Sequence, residues 1–124
     1  MLGDSPVCAT IAVKDIGAAK KFYSETLGLK QPQEDPGGVL FKSAGSALYI
    51  YQSEFAGTNK ATYAAWQVSD VKAIVKELKD KGINFNTFDW PGATWEGEVA
   101  VMGPVKAAWF NDPDGNILNI VSGM

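Results

Sequence analysis

A chain of 124 residues with 46% hydrophobic and 20% charged residues fits one soluble globular domain, and no apolar run approaches the roughly 20 residues that cross a bilayer. All 11 cations are lysines, so arginine, the bidentate grip for phosphates and carboxylates, is absent, and so is histidine, the commonest metal ligand and general base. The net charge of -3 and the lack of a basic cluster argue against nucleic acid as a partner.

The N-terminal region indicates the compartment. Met1–Pro6 lacks the basic stretch followed by an apolar one that marks a secretory signal. The single cysteine, Cys8, has no partner for an internal disulfide, which fits a reducing environment. We therefore expect a cytoplasmic protein with no membrane partner.

The first half of the chain predicts one strand, one helix and three further strands. Asp15 stands where an N-cap belongs, and Gly28 stands where the helix ends. The predicted strands are Cys8–Val13, Leu29–Gln33, Val39–Ser43 and Ala47–Gln52.

The second half repeats this order about 55 residues later, with Asp70 as N-cap and Gly82 as helix end. Between them an i, i+3, i+4, i+7 apolar stripe predicts an amphipathic helix. The predicted strands are Thr62–Val68, Ile83–Phe88, Glu98–Met102, Val105–Asn111 and Ile117–Val121. The last two are joined by Asp-Pro-Asp-Gly, a reverse turn with Pro at its second position, in which Asp112 and Asp114 are interpreted as turn residues.

These elements predict two βαβββ modules, at about 1–56 and 57–124, with residues 56–59 as the linker. Because neither module alone has enough core, we expect them to pack as one domain over residues 1–124. A plain ferredoxin-like α+β sandwich is the alternative fold.

The segment Trp109–Leu118, together with Val13–Asp15, Phe22–Tyr23 and Leu27–Leu29, resembles the vicinal oxygen chelate superfamily. This superfamily includes glyoxalase I, bleomycin-resistance proteins, extradiol dioxygenases and certain epimerases. The resemblance implies the α+β glyoxalase/bleomycin-resistance fold, in which two βαβββ modules with curled mixed sheets form a cavity.

In metal-dependent members, two His, Gln or Glu ligands per module project from the first and last strands. The matching positions here are Cys8, Tyr49, Tyr63 and Asn119. A thiol, two phenols and an amide do not suit a divalent cation that prefers imidazole and carboxylate. We therefore expect no metal and no cofactor. The carboxylates Glu54, Glu96 and Glu98 are interpreted as solvated loop charges rather than metal ligands.

Aromatic residues take the place of the expected ligands. Tyr49 and Tyr51 alternate along one strand and so face one side, while Trp90 and Trp95 flank a Pro-Gly-Ala turn. Tyr49, Tyr63, Trp90 and Trp95 are candidates for ligand contacts, with core packing as the alternative. Other aromatic residues are interpreted as core: Phe22, Tyr23, Phe41, Phe110 and Trp109.

Two functions follow from this pattern. The first is a metal-free protein that binds a planar or amphipathic small organic molecule through Cys8, Tyr49, Tyr63, Trp90, Trp95 and Asn119. The alternative is a glyoxalase-like lyase, isomerase or dioxygenase with an atypical or metal-free site. We also expect a homodimer with Val7–Ile11 and Pro91–Trp95 at its interface, because both segments are apolar. A monomer is the alternative.

Overall fold

The computed structural model describes all 124 residues and divides them into two compact units. Unit 1 contains Met1–Lys60 and Asp112–Asn116, and unit 2 contains Ala61–Asn111 and Ile117–Met124. The module boundary at residues 56 and 57, and the union of both modules in one domain, remain predictions. No helix is both long and apolar enough to cross a membrane.

Unit 1 is a four-stranded mixed sheet with a short 3₁₀ helix at Leu2–Asp4 and one longer helical segment. Its elements are β1 (Ala9–Val13), α1 (Ile16–Lys21), a π-helical turn (Phe22–Thr26), β2 (Lys30–Asp35), β3 (Gly38–Ser43) and β4 (Ser46–Gln52). The strand order is β1-β4-β3-β2, with β1 parallel to β4 and the other pairs antiparallel. Helix α1 packs against β3 and β4.

The core of unit 1 follows from strand alternation. The bulky buried strand residues lie at alternate positions, so they share the sheet face that α1 covers. These are Ile11, Val13, Val39, Phe41, Leu48 and Ile50. The helical segment contributes Ala19 and the fully buried Tyr23, so the predicted core role of Tyr23 and Phe41 is confirmed.

The first helix differs from the prediction in its second half. Asp15 caps it as predicted, accepting a hydrogen bond from the Ala18 N–H at 3.1 Å, and Gly28 ends it with φ of 76°. After Lys21, however, the turn widens to π geometry. The Ser24 hydroxyl donates to the Lys20 carbonyl at 2.6 Å, the kind of side-chain bond that competes with the α-helical ladder.

Unit 2 is a six-stranded mixed sheet with one helix. Its elements are β5 (Thr62–Gln67), α2 (Val71–Asp80), β6 (Phe85–Asn86), β7 (Thr94–Glu96), β8 (Val99–Met102), β9 (Val105–Asn111) and β10 (Ile117–Ser122). The order is β5-β10-β9-β8-β7, and β6 pairs with β9. Parallel β5 and β10 repeat the arrangement of β1 and β4.

Helix α2 matches its prediction at both ends. Asp70 accepts from the Ala73 N–H at 3.1 Å, and Gly82 adopts φ of 91°. Val71, Val75 and Leu78 are buried, and α2 packs against β9 and β10. The predicted α+β class with two mixed sheets is thus confirmed. The predicted strand Ile83–Phe88 is wrong over most of its length, because only Phe85 and Asn86 find partners on β9.

The turn Asp112–Asn116 supplies the buried polar centre of unit 1. Asp112 Oδ2 accepts from the Tyr23 hydroxyl and from Asn116 Nδ2, both at 2.8 Å, and its Oδ1 accepts from the backbone N–H groups of Asp114 and Asn116. Asn116 Nδ2 also donates to the Ala12 carbonyl at 2.8 Å. Burial and the adjacent Asp112 carboxylate raise the pKa of the Tyr23 phenol, which therefore stays a proton donor.

We predict that Asn116→Ala lowers the free energy of unfolding by about 3 kcal/mol. The substitution removes the donor to Ala12 and one donor to the buried Asp112 carboxylate, and each buried group left without a partner costs about 1–3 kcal/mol. Urea unfolding followed by circular dichroism measures the effect. The control Asn86→Ala removes an exposed amide bonded to Asn111 and should cost under about 1 kcal/mol. Equal losses in the two variants would contradict the role given to this turn.

Candidate functional site

Strand register places a row of candidate residues on one face of the unit 2 sheet. Asn119 of β10 pairs with Trp109 of β9, while Trp95 of β7 pairs with Ala100 of β8, which pairs with Ala107 of β9. Ala107 and Trp109 are two residues apart and so face the same side. The buried Ala108 and Phe110 face the opposite side. We call the side with Trp95, Trp109 and Asn119 the distal face.

Four aromatic rings form a cluster centred on Trp109. Its ring centroid lies 4.8 Å from that of Phe88, 5.3 Å from Trp90 and 6.3 Å from Trp95. Phe88 also contacts Trp95 edge-to-face at 5.7 Å. These spacings and tilts are the preferred geometry of aromatic pairs. We refer to Phe88, Trp90, Trp95 and Trp109 as the aromatic cluster.

The orientation of the Trp109 indole is fixed by a residue of β5, which is separated from β9 by β10. Trp109 Nε1 donates to Thr62 Oγ1 at 3.2 Å, and Trp109 itself is only half-buried. Its interpretation as core is therefore wrong, since the indole is the centre of an accessible cluster. Phe88 is 46% exposed, and it is a second member of the cluster that was not among the candidate site residues. One signal was available: Trp109 and Phe110 are adjacent on a strand, so only one of them is able to face the core.

Asn119 brings a buried amide next to this cluster. It is one of three buried polar residues, and its Nδ2 donates to the Ala108 carbonyl at 3.1 Å. This bond fixes which way the amide points. Tyr63, the candidate on β5, occupies a bulge, because Thr62 pairs with Ile117 while Ala64 pairs with Leu118. Alternation therefore does not set the direction of the Tyr63 side chain.

Cys8 and Tyr49 belong to unit 1 and lie near each other in its register. Thr10 pairs with Tyr49, and Cys8 lies just before the first residue of β1. Cys8 is exposed and free, and its thiol donates a weak hydrogen bond to the Ala9 carbonyl at 3.4 Å. The expected strand start at Cys8 is therefore one residue early.

The Tyr49 hydroxyl is held by a carboxylate. It donates to Asp35 Oδ1 at 2.9 Å, and the same oxygen accepts from the backbone N–H groups of Gly37 and Gly38 at 2.6 and 2.9 Å. The Gly37 bond, followed by the Tyr49 bond, lowers the pKa of Asp35. Partial desolvation, together with Asp35, raises the pKa of Tyr49. Tyr49 is thus a neutral phenol whose hydroxyl proton is already donated to Asp35.

Glycine is required at the turn that builds this contact. A Cβ atom on Gly38 would collide with the Ile50 carbonyl, and one on Gly37 would lie 2.8 Å from the Tyr49 hydroxyl. The backbone of the β2–β3 turn therefore lies so close to β4 that no side chain fits between them at Gly38.

The donor set expected from the family pattern does not fit a divalent cation. The Tyr49 phenol is a committed donor, and the Asn119 amide nitrogen is bonded to backbone. No three His, Cys, Asp or Glu side chains are grouped to hold a metal ion. Two of the three carboxylates considered earlier are in ion pairs, Glu96 with Lys72 and Glu98 with Lys79, rather than simply solvated. The hydrogen bond from Lys72 lowers the pKa of Glu96.

Residues 6–120 match the family model of the Glyoxalase/Bleomycin resistance protein/Dioxygenase superfamily. The chain belongs to this superfamily. It is 28% identical over 134 residues to YurT, an uncharacterized protein of Bacillus subtilis (strain 168), with 93% of this chain and 96% of YurT covered. The predicted superfamily resemblance is therefore confirmed.

Two solved structures show how widely this fold is used. The antibiotic-binding protein TnmS3 from Streptomyces sp. CB03234 has a TM-score of 0.70 at 22% identity, covering 100% of this chain and 99% of that one. Lactoylglutathione lyase from Agrobacterium tumefaciens also has a TM-score of 0.70, at 18% identity, covering 97% of this chain and 94% of the lyase. A binding protein and an enzyme match equally well, so the fold alone does not assign a function.

We predict that Tyr49→Phe raises the pKa of Asp35 towards its ordinary value of 3.8, because one hydrogen bond to the carboxylate is lost while those from Gly37 and Gly38 remain. A carbon-detected NMR titration of the Asp side chains measures this shift. Because the folded-state pKa of Asp35 is lowered, its contribution to stability is present above pH 3.8 and is lost as the pH falls through the folded-state value. In Tyr49→Phe, the stability that is lost as the pH falls through the folded-state pKa of Asp35 should be smaller.

The matched control is Tyr51→Phe, which removes the next phenol on the same face of β4 and should leave the Asp35 titration unchanged. An Asp35 pKa that does not move in Tyr49→Phe would show that the phenol has no effect on the carboxylate.

Proposed function

We propose that this chain is a metal-free binding protein for a planar or amphipathic small organic molecule, which it holds on the distal face of the unit 2 sheet. The observation that carries the proposal is the aromatic cluster centred on Trp109, with the buried amide of Asn119 paired to the same residue. Rigid aromatic rings stack on planar ligands at low entropic cost, and a fixed amide supplies orientation.

The half-buried state of three indoles leaves ring surface that a ligand is able to contact. Trp90, Trp95 and Trp109 each keep part of their surface accessible. Ala100 and Ala107, on the same face of the sheet, are small and buried. The ligand-contact roles predicted for Cys8, Tyr49 and Tyr63 remain predictions.

The antibiotic-binding neighbour TnmS3 is consistent with this function, since it pairs the same fold with a small-molecule ligand. The enzyme alternative draws support from the lyase neighbour but has weaker chemistry in this chain. A metal-free enzyme needs an acid–base group, and two candidates are unsuited to that role: Glu98 is paired with Lys79, and the raised pKa of Tyr49 disfavours the phenolate that a base requires. Elemental analysis of protein purified without chelator, with a turnover assay on α-oxoaldehyde thiol adducts, separates the two functions.

We predict that planar aromatic compounds raise the melting temperature, and that Trp95→Leu and Trp109→Leu each weaken binding of the best compound by about tenfold. Losing one stacking surface is worth about 1.4 kcal/mol, which corresponds to that factor. A thermal-shift screen of aromatic antibiotics and metabolites finds the compound, and calorimetry measures its affinity.

Trp66→Phe is the matched control. It removes an indole from β5 at the register position of Ile120, on the side of the sheet opposite Asn119, and should leave affinity unchanged. If no compound in a broad panel stabilises the protein, or if Trp66→Phe weakens binding as much as the other two substitutions, the proposed site is wrong.

We further propose a cytoplasmic homodimer with Val7–Ile11 and Pro91–Trp95 at its interface. Val7 is an apolar side chain that is 88% exposed, and a second copy that covers it would remove that surface from water. A twofold contact brings each segment against the same surface of the second copy. Light scattering at several concentrations is expected to give about twice the 13.3 kDa chain mass. A mass of 13.3 kDa that persists at high concentration would exclude the dimer.

A further inference from the structure

We infer that the ligand of the aromatic cluster is a planar aromatic cation. This inference rests on the proposed function and adds the charge of the ligand to it. It is carried by the distribution of charged side chains over the two faces of the unit 2 sheet and by the electrostatics of the indole ring.

The strands of unit 2 contain only two charged residues, Glu96 and Lys106. Glu96 follows the distal-face residue Trp95 directly, and Lys106 directly precedes Ala107. Because successive strand residues point to opposite faces, both charged side chains point to the α2 side. The ion pair between Glu96 and Lys72 of α2 agrees with that direction. The distal face of these strands therefore carries no formal charge.

An anionic ligand would find no partner on this face. Carboxylates and phosphates are bound by arginine, by histidine or by lysine, and the chain has neither arginine nor histidine. The one lysine on the strands, Lys106, is turned to the other side. Moving an anion from water onto an apolar aromatic surface without such a partner is unfavourable.

A cation would gain energy on the same face. The π-faces of indole rings are negative, and a cation within about 6 Å of a ring centroid is attracted by about 0.5–2 kcal/mol. Three indoles belong to the cluster, with Trp90 and Trp95 both within 6.3 Å of Trp109. The exposed Asp89 lies between Phe88 and Trp90 in sequence and adds a negative charge to the segment that carries both.

Three acridine probes of nearly equal shape test the inference: N-methylacridinium as the cation, acridine in mildly alkaline buffer as the neutral compound, and acridine-9-carboxylate as the anion. Equilibrium dialysis, with probe absorbance as the readout, avoids interference from tryptophan fluorescence. We expect the cation to bind about 3- to 30-fold more tightly than the neutral probe, and the anion to bind most weakly.

Two variants separate a local effect from the net charge of -3. Asp89→Asn should lower the affinity for the cation by about twofold and leave that for neutral acridine unchanged. Glu77→Gln removes an exposed charge from α2 and should change neither.

Equal affinity for the cation and the neutral probe, or preference for the anion, would overturn the inferred ligand charge while the proposed binding function stands. Equal losses of cation affinity in the two variants would also overturn it, since the preference would then come from net charge. Failure of all three probes to bind would overturn the inferred ligand class, whereas the proposed binding function fails only if no compound of the thermal-shift panel binds.

Discussion

The buried Asp112 carboxylate is the centre of the polar network that holds unit 1 together. A buried ionised carboxylate is tolerated only when hydrogen bonds replace its water, and here four donors do so: the Tyr23 hydroxyl, the Asn116 amide and two backbone N–H groups. Asn116 then bonds outward to the Ala12 carbonyl of β1 and accepts from the Gly57 N–H. A turn late in the chain is thereby built into the core formed by its beginning.

The position of this turn matters for the candidate site. Trp109 lies three residues before Asp112, and Asn119 lies three residues after Asn116. The turn determines where β9 ends and β10 begins, so it determines that Trp109 and Asn119 are register partners. A shift by one residue would exchange the two faces of β10 and replace Asn119 with the apolar Leu118 or Ile120. A structural network thus fixes the side chains that face the proposed ligand.

Local sequence signals predicted what local physics determines. Asp15 and Asp70 cap helices because a carboxylate accepts from the free N–H groups of the first turn, and Gly28 and Gly82 end helices because both adopt positive φ. These features need no long-range information. The same holds for the Asp-Pro-Asp-Gly turn.

The parts that were missed depend on pairing across the chain. Thr94–Glu96 is too short to be recognised as a strand, and it exists because Trp95 pairs with Ala100 on β8. That pairing places Trp95 on a sheet rather than in a loop. The exposure of Trp109 likewise depends on which of two adjacent aromatic residues faces α2, which the sequence pattern leaves open. The Tyr49–Asp35 bond depends on the close approach of a glycine turn.

Function in this superfamily is set by side chains placed on a common frame, which is why an antibiotic-binding protein and a lyase match this chain with the same TM-score. In this chain the positions expected to hold metal ligands carry a thiol, two phenols and an amide, while one face of unit 2 carries three half-buried indoles and no charge. This composition is the basis of the proposal that the chain binds a ligand by stacking and desolvation.

The four tryptophans allow this account to be tested in one measurement. Each gives its own indole N–H signal in a nitrogen–proton correlation spectrum, and three lie in the aromatic cluster while Trp66 lies on the α2 side of β5. On titration with a planar aromatic ligand, we expect the signals of Trp90, Trp95 and Trp109 to shift together and saturate at one affinity, while that of Trp66 stays in place. A ligand that binds and shifts Trp66 but leaves the other three signals unmoved would contradict it.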